Sequence, residues 1–540
     1  MNGHGDHARK GRGSAIALIG LSGSGKSTVG PMLAAKLGLP HHDVDVEVER
    51  REGRTIREIF DADGEPAFRA LERDATIDLL QTPGVLSLGG GGPLTPQVAD
   101  ALRGHPVVWL RVAPAVAAAR IGHDENRPLL AGRDAALRLR SMLSQRAGTY
   151  AALASLAVDT DRAGVDAVVD SIAAHVADFT PDAFGGEVIP VNAEKPYEVR
   201  VGRGVSFELG RALGRRERVA LLHPAPLAEA AGLLVETTDA DVTLIEVPDG
   251  EDAKRAAVLD AVWHRLDEAG FTRADAVVGL GGGSTTDLAG FVAATWLRGL
   301  DFVSIPTTLL AMVDTAIGGK TGINVGRTKN AVGAFWEPIA VLCDTDHLTG
   351  DPDALRGGLA EMAKHGLVAD PPTLELLETR TAAMFDPARP ELAEGIARSI
   401  QVKTAIASAD LREATSVGTD VGREVLNYGH TLGLAVERHS GWGHGQAVSV
   451  GLLYAAVLSH RLGHAGAALV GRHRRLLERL GLPTDYDRAA WPELRRLMNR
   501  DKKVRASALR FVLLDDVARP RIEVAPDEDD LRDSYEEIAR

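Results

Sequence analysis

The chain has 540 residues, of which 45% are hydrophobic and 25% are charged, and its formal net charge at pH 7 is −14. A chain of this length is too long to form a single hydrophobic core. Its negative net charge argues against general binding to nucleic acid or to anionic membranes. The single cysteine, Cys343, excludes an intrachain disulfide and a metal site built from several cysteines. Because the N-terminal segment lacks the apolar core of a signal peptide and no stretch has the pattern of a membrane-spanning helix, we expect a cytoplasmic protein.

The order of apolar and amphipathic segments predicts three domains. Over residues 14–178, short apolar runs alternate with helical patterns, which predicts an α/β domain with a parallel sheet and flanking helices. Residues 179–188 begin a stretch rich in proline and glycine and are predicted to be a linker. A second α/β pattern covers residues 189–350, and strands are expected to stop after about Asp351, so residues 351–540 are predicted to be mostly helical.

A phosphate-binding loop is predicted near the N-terminus, where GLSGSGKS occupies residues 20–27. It follows the apolar run Ile16–Ile19 and precedes a helical pattern, which is the context that such a loop requires. Glycines let successive N–H groups face phosphate oxygens, Lys26 can reach the β- and γ-phosphates, and Ser27 can offer a hydroxyl to Mg²⁺. The sequence therefore predicts an ATP site formed by Gly23, Ser24, Gly25, Lys26, Ser27 and Thr28.

Further polar and glycine-rich positions follow in the first domain. Asp43 and Asp45 stand at a predicted strand end, and two carboxylates at that spacing on a strand share one face. One could hold Mg²⁺ while the other accepts a hydrogen bond from a substrate hydroxyl, although a solvated acidic strand end has the same pattern. Arg69 and Glu72 stand one helical turn apart, and the loop Gly89–Gly92 permits a ligand to approach the backbone closely.

Two later arginines complete a pattern that resembles a known family. Arg127 stands in NRPLLAG, a segment suited to a mobile lid, and Arg146 follows in SQRAGTY. The motifs GxxGxGKS, DxD, IFxxxGExxFRxxE, LGGG, RPLL and the late QR together resemble shikimate kinase across the first module. The resemblance implies in-line transfer of the ATP γ-phosphoryl group to shikimate, with Ser27 and Asp43 holding Mg²⁺ and Asp45 activating the substrate hydroxyl.

The same resemblance assigns the remaining residues of the first module. It implies that Arg127 closes over the phosphates, so that the catalytic residues are Lys26, Asp45 and Arg127. It also implies a shikimate site whose guanidinium groups match the substrate carboxylate, formed by Asp45, Arg69, Gly90, Gly91 and Arg146. The proline and the downstream basic residue that usually follow Arg146 in this family are missing here. Another small-molecule kinase, such as a gluconate kinase, is the alternative.

The second predicted domain contains a glycine triplet directly after an apolar run. Gly281–Gly283 precede a helical pattern that carries Asp287, but their spacing differs from the GxGxxG fingerprint and indicates a nucleotide only weakly. Many polar groups then interrupt an apolar sequence, and burying them without partners would be costly. A cleft lined with ligand-binding groups accounts for them better than a core does; they are Thr307, Thr308, Asp314, Lys320, Lys329 and Asn330.

The helical part of the sequence contains three potential metal ligands. One carboxylate and two imidazoles, from Glu361, His430 and His444, form a set suited to a catalytic Zn²⁺ with an open coordination position. Lys364 stands one helical turn after Glu361. For either histidine alone, a hydrogen-bonded structural role is the more ordinary interpretation, and the spacing by itself does not bring the three residues together.

Over residues 189–540 the motifs together resemble 3-dehydroquinate synthase. They are PxGExxK, GGGxxxDLxGFxAxxxxRG, PTTLLAMVDxxIGGKTxIN, KNxxGxFxxP, GxAExxKxG, LNxGHT, HGxAVxxG and a late DKK. The resemblance implies a Rossmann-like NAD-binding domain over residues 189–350 and a helical metal- and substrate-binding domain over residues 351–540. It also implies bound NAD, a divalent metal (Zn²⁺ or Co²⁺), and cyclisation of 3-deoxy-D-arabino-heptulosonate 7-phosphate to 3-dehydroquinate with release of phosphate.

The synthase resemblance assigns a role to each matching residue. It implies that the metal is bound by Glu361, His430 and His444. It implies that NAD is surrounded by Asp249, Glu251, Lys254, Gly281, Gly282, Gly283, Asp287, Thr307, Thr308, Asp314, Lys320, Lys329 and Thr349. It implies that the heptulosonate phosphate is held by Arg298, Asn330, Lys364, Lys403, Arg423, Asn427 and Lys502, and that the catalytic residues include Lys320, Lys364, Arg423 and Asn427.

Two departures from the synthase pattern lie near the expected substrate pocket. The family usually has GHTxGH, and Leu434 here replaces the second histidine, whose acid–base assistance is typically worth about 10²- to 10⁴-fold. The segment 414–422 is also longer than the usual connection, and Leu411 stands where an acidic residue is common.

The leading hypothesis is a bifunctional shikimate-pathway enzyme that acts on ATP, shikimate and the heptulosonate phosphate, with a homodimer possible through the synthase half. The alternatives are a cyclase that acts on a different sugar phosphate, an impaired synthase, and a silent scaffold that only binds NAD and metal.

Overall fold

The computed structural model describes residues 15–102, 104–121, 135–161, 163–178, 187–326, 328–409, 421–505 and 509–540. The chain divides into two compact units. The first consists of Met1–Gly186, Gly202–Glu217 and Glu229–Asp241, and the second consists of Glu187–Val201, Arg218–Ala228 and Val242–Arg540. Most of the predicted linker lies outside the described residues; Glu187 and Val188 belong to a strand.

The first unit is built on a sheet of five parallel strands. They are β1 (Ile16–Ile19), β2 (His41–Asp43), β3 (Val85–Ser87), β4 (Val107–Arg111) and β5 (Leu156–Asp159), in the order β2-β3-β1-β4-β5. Every residue of β1 is buried, as expected for a parallel strand that is covered on both faces. The parallel sheet predicted for the first domain is therefore confirmed.

Helices surround this sheet and complete the first unit. Up to the end of the first domain they are α1 (Lys26–Leu37), α2 (Val44–Glu52), α3 (Ile56–Leu80), α4 (Pro96–Leu102), α5 (Pro114–Ile121), α6 (Ala135–Leu153) and α7 (Val165–Asp178). Apolar residues of α1 and α7 pack with β1, β3 and β4 in one core. Two later helices also belong to this unit: α8 (Leu209–Leu213) and, from Glu229 onward, α9 (Ala228–Val235).

One local prediction in the first unit is wrong. Asp43 and Asp45 were expected on one face of a strand, but β2 ends at Asp43 and α2 begins at Val44. Asp43 is the N-cap of α2, and its Oδ1 accepts the backbone N–H of Asp45 at 3.0 Å. A short acidic side chain is a strong N-cap because it satisfies an N–H that the helix leaves unpaired. Local capping therefore ends the strand before Asp45.

The second unit contains a seven-stranded sheet with the order β6-β7-β14-β11-β10-β8-β9. Its strands are β6 (Glu187–Val191), β7 (Tyr197–Gly202), β8 (Arg218–Pro224), β9 (Asp241–Val247), β10 (Ala276–Gly281), β11 (Asp301–Pro306) and β14 (Ala340–Asp344). The central pairs β8–β10, β10–β11 and β11–β14 are parallel, whereas β6 and β7 are antiparallel. A separate hairpin is formed by β12 (Lys320–Val325) and β13 (Thr328–Phe335).

The C-terminal part of the second unit is mostly helical, as predicted. Its helices are α12 (Pro352–Val368), α13 (Pro371–Thr379), α14 (Pro390–Ala409), α15 (His430–Ser440), α16 (His444–Arg461), α17 (Ala467–Arg479), α18 (Trp491–Arg505) and α19 (Glu528–Ile538), whereas α10 (Ala256–Glu268) and α11 (Gly283–Thr295) lie among the strands of the seven-stranded sheet. The expectation that strands stop after Asp351 is wrong, because β15 (Arg510–Asp516) pairs with β16 (Arg519–Val524). Within the described ranges, no helix has both the length and the apolar character needed to cross a membrane.

Candidate active sites

The predicted phosphate-binding loop lies between β1 and α1. β1 ends at Ile19, and α1 begins at Lys26 after Gly25, whose φ of 96° is left-handed. The Lys26 Nζ donates to the carbonyl oxygens of Gly20 at 2.8 Å and Leu21 at 2.9 Å, which keeps its charge above the loop. No acidic residue stands in the first turn of α1, so the positive end of the helix dipole is available to an anion.

The glycine loop after β3 lies against three of the residues predicted to bind shikimate. A Cβ atom at Gly89 would lie 2.9 Å from the Asp45 Oδ1. One at Gly90 would lie 3.0 Å from the Arg146 Nη1, and one at Gly91 would lie 2.5 Å from the Arg69 Cζ. The absence of side chains at these positions therefore lets both guanidinium groups and one carboxylate meet the same stretch of backbone.

Buried carboxylate Glu72 orients one of the two arginines. Arg69 Nη1 donates to the Glu72 Oε2 at 2.6 Å, and Arg69 Nη2 donates to Glu65 at 3.0 Å. Burial raises the pKa of Glu72, although Arg69 opposes this, and its Oε1 accepts no hydrogen bond within the described part of the chain. The first unit thus presents two cations and a carboxylate next to a phosphate-binding loop, which suits a small anionic substrate with a hydroxyl group.

In the second unit, the three predicted metal ligands converge. Glu361 lies in α12, His430 is the first residue of α15 and His444 is the first residue of α16. The Glu361 Oε1 lies 3.5 Å from the His444 Nε2 and 3.8 Å from the His430 Nε2, and one ligand atom from each residue lies within 4.8 Å of the others. Glu361 is fully buried, and its Oε2 forms an ion pair with the Lys364 Nζ.

Close helix packing explains this convergence. A Cβ atom at Gly445, in the first turn of α16, would lie 2.5 Å from the Cα of Gly357 in α12. A Cβ at Gly451 would collide with the carbonyl of Gly429, the residue before α15. Larger side chains at these positions would separate the helices, so glycine brings two helix N-termini and the middle of α12 within reach of one ion.

The pKa values of the two histidines in the cluster are shifted in opposite directions. Burial lowers the pKa of His430 to about 4, so its imidazole is neutral at pH 7, which is the form that binds metals. Burial by itself would also lower the pKa of His444, but hydrogen bonds with Glu361 and Glu437 raise it to about 10. Lys364 lies one turn after Glu361 and forms an ion pair with it. The buried carboxylate therefore has cationic partners on two sides.

A second network joins residues that were predicted to bind NAD with Asn330, which was predicted to hold the heptulosonate phosphate. Lys254 is buried, forms an ion pair with Asp287 in α11 and donates to the Asn330 Oδ1 in β13. Burial raises the pKa of Asp287 to about 6, although Lys254 opposes this shift. Glu251 accepts from the Asn324 Nδ2 at 2.6 Å and from a hydroxyl at the start of α11. The loop before α10, the N-terminus of α11 and the β12–β13 hairpin therefore meet.

The glycine triplet connects β10 with α11 in this region. β10 ends at Gly281, Gly282 is the N-cap, and α11 begins at Gly283. The backbone N–H of Thr307 donates to the Gly281 carbonyl at 2.9 Å, and a Cβ at Gly282 would lie 3.5 Å from the methyl group of Thr308. The first N–H groups of a helix have no partner within the helix, so this strand–helix junction can bind an anion such as a pyrophosphate.

Asp314 links this region to a cation predicted to hold substrate. It lies in a π-helix, Ala311–Thr315, and its Oδ1 accepts from the Lys403 Nζ at 2.5 Å. π-helices are rare and are frequent at functional sites. The buried Arg423 lies close to the segment that follows this π-helix, because a Cβ at Gly318 would be 3.3 Å from the Arg423 Nη2. Asp314 was predicted to contact NAD, and its ion pair is with Lys403.

Family comparisons identify both units. Residues 244–355 match the N-terminal domain of 3-dehydroquinate synthase and residues 358–504 match its C-terminal domain. The 3-dehydroquinate synthase of Thermobifida fusca (strain YX) is 49% identical over 351 residues, which are 64% of this chain and 94% of that protein. The synthase of Streptomyces coelicolor is 47% identical over 64% of this chain and 95% of that protein. The chain belongs to the 3-dehydroquinate synthase family.

The N-terminal part belongs to a different enzyme family. Residues 22–177 match shikimate kinase, so the chain is a fusion of a kinase module with a synthase half. A structure of 2-epi-5-epi-valiolone synthase from Streptomyces hygroscopicus subsp. jinggangensis 5008, with NAD⁺ and Zn²⁺ bound, is 25% identical. It covers 65% of this chain and 98% of its own with a TM-score of 0.58, which supports the fold of the synthase half. Both predicted families are confirmed.

Several predicted site residues lie apart from these clusters. Asp249, Arg298 and Thr349 are exposed, and within the described ranges none forms a hydrogen bond or ion pair with the other predicted residues. Leu297 and Arg298 have left-handed φ values of 48° and 67°, which is uncommon for residues other than glycine. Lys320 begins β12, and Asn427 ends a short 3₁₀ turn before α15. Arg127 lies outside the described residues, as does the side chain of Lys502.

Glu437 is a candidate site residue that the sequence analysis missed. Its Oε2 lies 2.9 Å from the His444 Nδ1, and its Oε1 accepts from the Lys329 Nζ at 2.8 Å. Glu437 follows His430 by seven residues, which is two helical turns on the same face of α15, with Leu434 between them. That spacing was the sequence signal that could have identified Glu437 as a site residue. Carboxylates commonly orient metal-binding histidines through the nitrogen that does not bind the metal.

We expect Glu437→Gln to weaken binding of Zn²⁺ by the synthase half about 10- to 100-fold, the usual cost of losing a carboxylate behind a histidine ligand. The amide cannot stabilise the imidazole and Lys329 together. Competition with a chromophoric chelator measures the affinity. Glu375→Gln, at an exposed position of α13, is the matched control and should bind Zn²⁺ like the wild type. Equal affinities in all three proteins would contradict the role of Glu437.

In the kinase module, we expect Gly91→Ala to raise the KM for shikimate about 10- to 100-fold, the value of a charge-assisted hydrogen bond pair. The new methyl group would lie 2.5 Å from the Arg69 Cζ and would displace the guanidinium, whereas the φ of −97° suits alanine. Steady-state kinetics at saturating ATP measure the effect. Gly164→Ala, where no atom lies within 4 Å of the new Cβ, should keep the wild-type KM.

Proposed function

We propose that this chain catalyses two reactions of the shikimate pathway. The kinase module phosphorylates shikimate with ATP, and the synthase half converts 3-deoxy-D-arabino-heptulosonate 7-phosphate to 3-dehydroquinate with release of phosphate. The observation that carries the synthase assignment is the cluster of Glu361, His430 and His444 next to two buried lysines, in a chain that is 49% identical to a named 3-dehydroquinate synthase. The proposed domains are residues 14–178, 189–350 and 351–540.

The cluster of Glu361, His430 and His444 fits a divalent metal. Glu361 is fully buried and its Oε1 faces the Nε2 atoms of His444 and His430 at 3.5 and 3.8 Å, so a carboxylate oxygen and two imidazole nitrogens converge on one point in a buried site. One oxygen and two nitrogen ligands are a donor set that Zn²⁺ and Co²⁺ accept, and three protein ligands leave a position for substrate. The solved relative with Zn²⁺ bound supports this proposal. The three residues would hold the metal, and Glu437 would orient His444.

The junction of β10 and α11 fits NAD. Its glycine backbone and the N-terminus of α11 suit a pyrophosphate, and no acidic residue stands in the first turn of that helix. Glu251 and Asp287 supply carboxylates beside it, and Lys254 balances Asp287. When bound, NAD would accept and return a hydride, and the metal would polarise substrate oxygens.

The chain's own cations would position the heptulosonate phosphate. Lys364 and Lys403 are buried, and each is paired with a carboxylate, Glu361 and Asp314 respectively. Ammonium groups in a buried site would match the carboxylate and phosphate of the substrate. Burial lowers the pKa of Lys403 although Asp314 opposes this, and a lysine in that state is suited to exchange a proton with substrate.

In the kinase module, positioning and charge account for the chemistry. The loop N–H groups and Lys26 would hold the ATP phosphates, and Ser27 would bind Mg²⁺. Arg69 and Arg146 would grip the shikimate carboxylate, which leaves a ring hydroxyl to Asp45 beside the glycine loop. Asp45 would accept the hydroxyl proton as the oxygen attacks the γ-phosphoryl group.

Leu434 motivates the second candidate, a cyclase that acts on another sugar phosphate. The position lies between His430 and Glu437 on one face of α15, where the family usually supplies a second imidazole. The solved relative is a 2-epi-5-epi-valiolone synthase, so a similar fold also occurs in a synthase with a different product. The higher identity to 3-dehydroquinate synthases favours the first candidate.

Product identification with the full-length protein separates these candidates. We expect dehydroquinate from the heptulosonate phosphate in the presence of NAD and Zn²⁺, and shikimate 3-phosphate from shikimate and MgATP. Leu434→His should keep or raise the cyclisation rate, since it restores an acid–base group worth about 10²-fold or more. Turnover of only a different sugar phosphate would support the second candidate. Inactivity of the wild type with rescue by Leu434→His would identify an impaired synthase.

A further inference from the structure

Two segments of the synthase sequence pack within the first compact unit. Gly202–Glu217 and Glu229–Asp241 belong to that unit, together with the kinase module. The match to the Thermobifida fusca synthase covers 64% of the 540 residues, so it reaches back before residue 200. These segments therefore belong by sequence to the synthase half and by packing to the unit that contains the shikimate pocket. They contribute buried apolar residues of their own: Val205, Phe207, Leu209, Leu213 and Leu234.

Phe207 contacts the end of strand β4 in the kinase module. Its ring centroid lies 5.0 Å from that of Trp109 with the planes at 76°, which is an edge-to-face pair. The Phe207 ring also contacts a cation, because the Arg111 Cζ lies 5.2 Å from its centroid. Arg111 in turn forms two hydrogen bonds with Asp159, at 2.8 and 2.7 Å. Phe207 is 9% exposed, so nearly all of its ring is in contact with protein.

The aromatic contacts continue from Trp109 to the glycine loop of the shikimate pocket. The rings of Trp109 and Tyr150 are 5.8 Å apart at 61°, and both side chains are buried. The Tyr150 hydroxyl donates to the carbonyl of Gly90. Arg146 lies one turn before Tyr150 in α6 and also faces Gly90. A continuous series of contacts thus joins Phe207 through Trp109 and Tyr150 to the loop that faces shikimate.

Helix α6 is held by the synthase segments at two further points. Arg140 donates to the carbonyl oxygens of Thr238 at 3.2 Å and Val235 at 3.0 Å. Gly148 lies against Glu208, because a Cβ there would be 2.8 Å from the Glu208 Cγ. These contacts lie on both sides of Arg146 along α6, so the position of that arginine depends on residues of the synthase sequence.

We propose that Phe207 is a positioning residue for the shikimate pocket, through which the synthase half sets the affinity of the kinase module for shikimate. The proposal rests on the proposed shikimate kinase activity. The contacts lead to Gly90 and Arg146, whereas the Lys26 ammonium group is held within its own loop by the carbonyl oxygens of Gly20 and Leu21. Loss of the Phe207 ring should therefore weaken shikimate binding and leave ATP binding unchanged.

Initial-rate kinetics on the full-length chain test this. For Phe207→Ala we expect the KM for shikimate to rise about three- to tenfold, the range that aromatic pairs contribute, with the KM for ATP and the cyclisation rate unchanged. Phe207→Leu, which keeps most of the apolar volume, should shift the KM less. Leu213→Ala, a buried truncation in the same segment outside the aromatic series, controls for general destabilisation and should keep the wild-type KM.

A double-mutant cycle tests the route of the effect. Tyr150→Phe keeps the ring and removes the hydrogen bond to Gly90, and we expect the KM increases of Phe207→Ala and Tyr150→Phe to be less than multiplicative when combined. An unchanged KM for shikimate in Phe207→Ala would overturn the inference, as would equal changes in the KM for ATP. Failure of the wild type to phosphorylate shikimate would instead overturn the proposed function.

Discussion

His444→Ala in the full-length chain should remove the divalent metal from the synthase half and lower the cyclisation rate about 10³-fold, while shikimate is phosphorylated at the wild-type rate. His444 offers one of three candidate ligand atoms that lie within 4.8 Å of one another, and catalytic zinc sites ordinarily have three protein ligands. Its side chain is 24% exposed, so its truncation costs less packing than loss of the fully buried Glu361.

Metal content by atomic absorption and coupled assays of both reactions measure this outcome. His264→Ala is the control, since that histidine lies 74% exposed on α10, and it should keep full metal content and both activities. A His444→Ala protein with stoichiometric zinc and normal cyclisation would show that the ligand assignment is wrong. Parallel loss of kinase activity would show that the modules are coupled or that the variant is misfolded, and the thermal unfolding curve separates these two results.

Lys26→Ala should lower shikimate phosphorylation at least about 10²- to 10³-fold and leave the cyclisation rate unchanged. The Lys26 ammonium is held at 2.8 and 2.9 Å from two loop carbonyls, and in the proposed reaction its charge would stabilise the transferred phosphoryl group. The substitution removes that charge and keeps the backbone N–H groups, so residual ATP binding is expected with little transfer.

Lys36→Ala is the matched control, because Lys36 lies in the same helix and forms an exposed ion pair with Asp170. Pairs of this kind contribute little to stability, so both reactions should proceed at the wild-type rate. Shikimate 3-phosphate formation and dehydroquinate formation are followed in the same preparation. Kinase activity that survives Lys26→Ala would place the phosphoryl-transfer site elsewhere in the chain.

The elements close to each motif could be predicted from the sequence. An apolar run, a glycine-rich loop and a helical pattern follow one another within about 20 residues, so β1, the phosphate-binding loop and the start of α1 were correctly predicted. Such predictions were less accurate where one segment could either continue a strand or begin a helix. The sequence pattern predicted that the strand continues past Asp43, but Asp43 caps α2, so the strand ends there and Asp45 lies in the helix.

The chemistry of the metal cluster was visible in the sequence, because a carboxylate and two imidazoles are the residue types that bind zinc. Residue type and local periodicity carry that information. The distances within the cluster depend on the crossing of α12, α15 and α16 at glycines, and the pairing of Glu437 with His444 and Lys329 depends on contacts across up to 108 residues of chain. Phe207 likewise packs against Trp109 in the unit that contains the shikimate pocket. No local sequence pattern relates these two residues, so only the tertiary structure determines their contact.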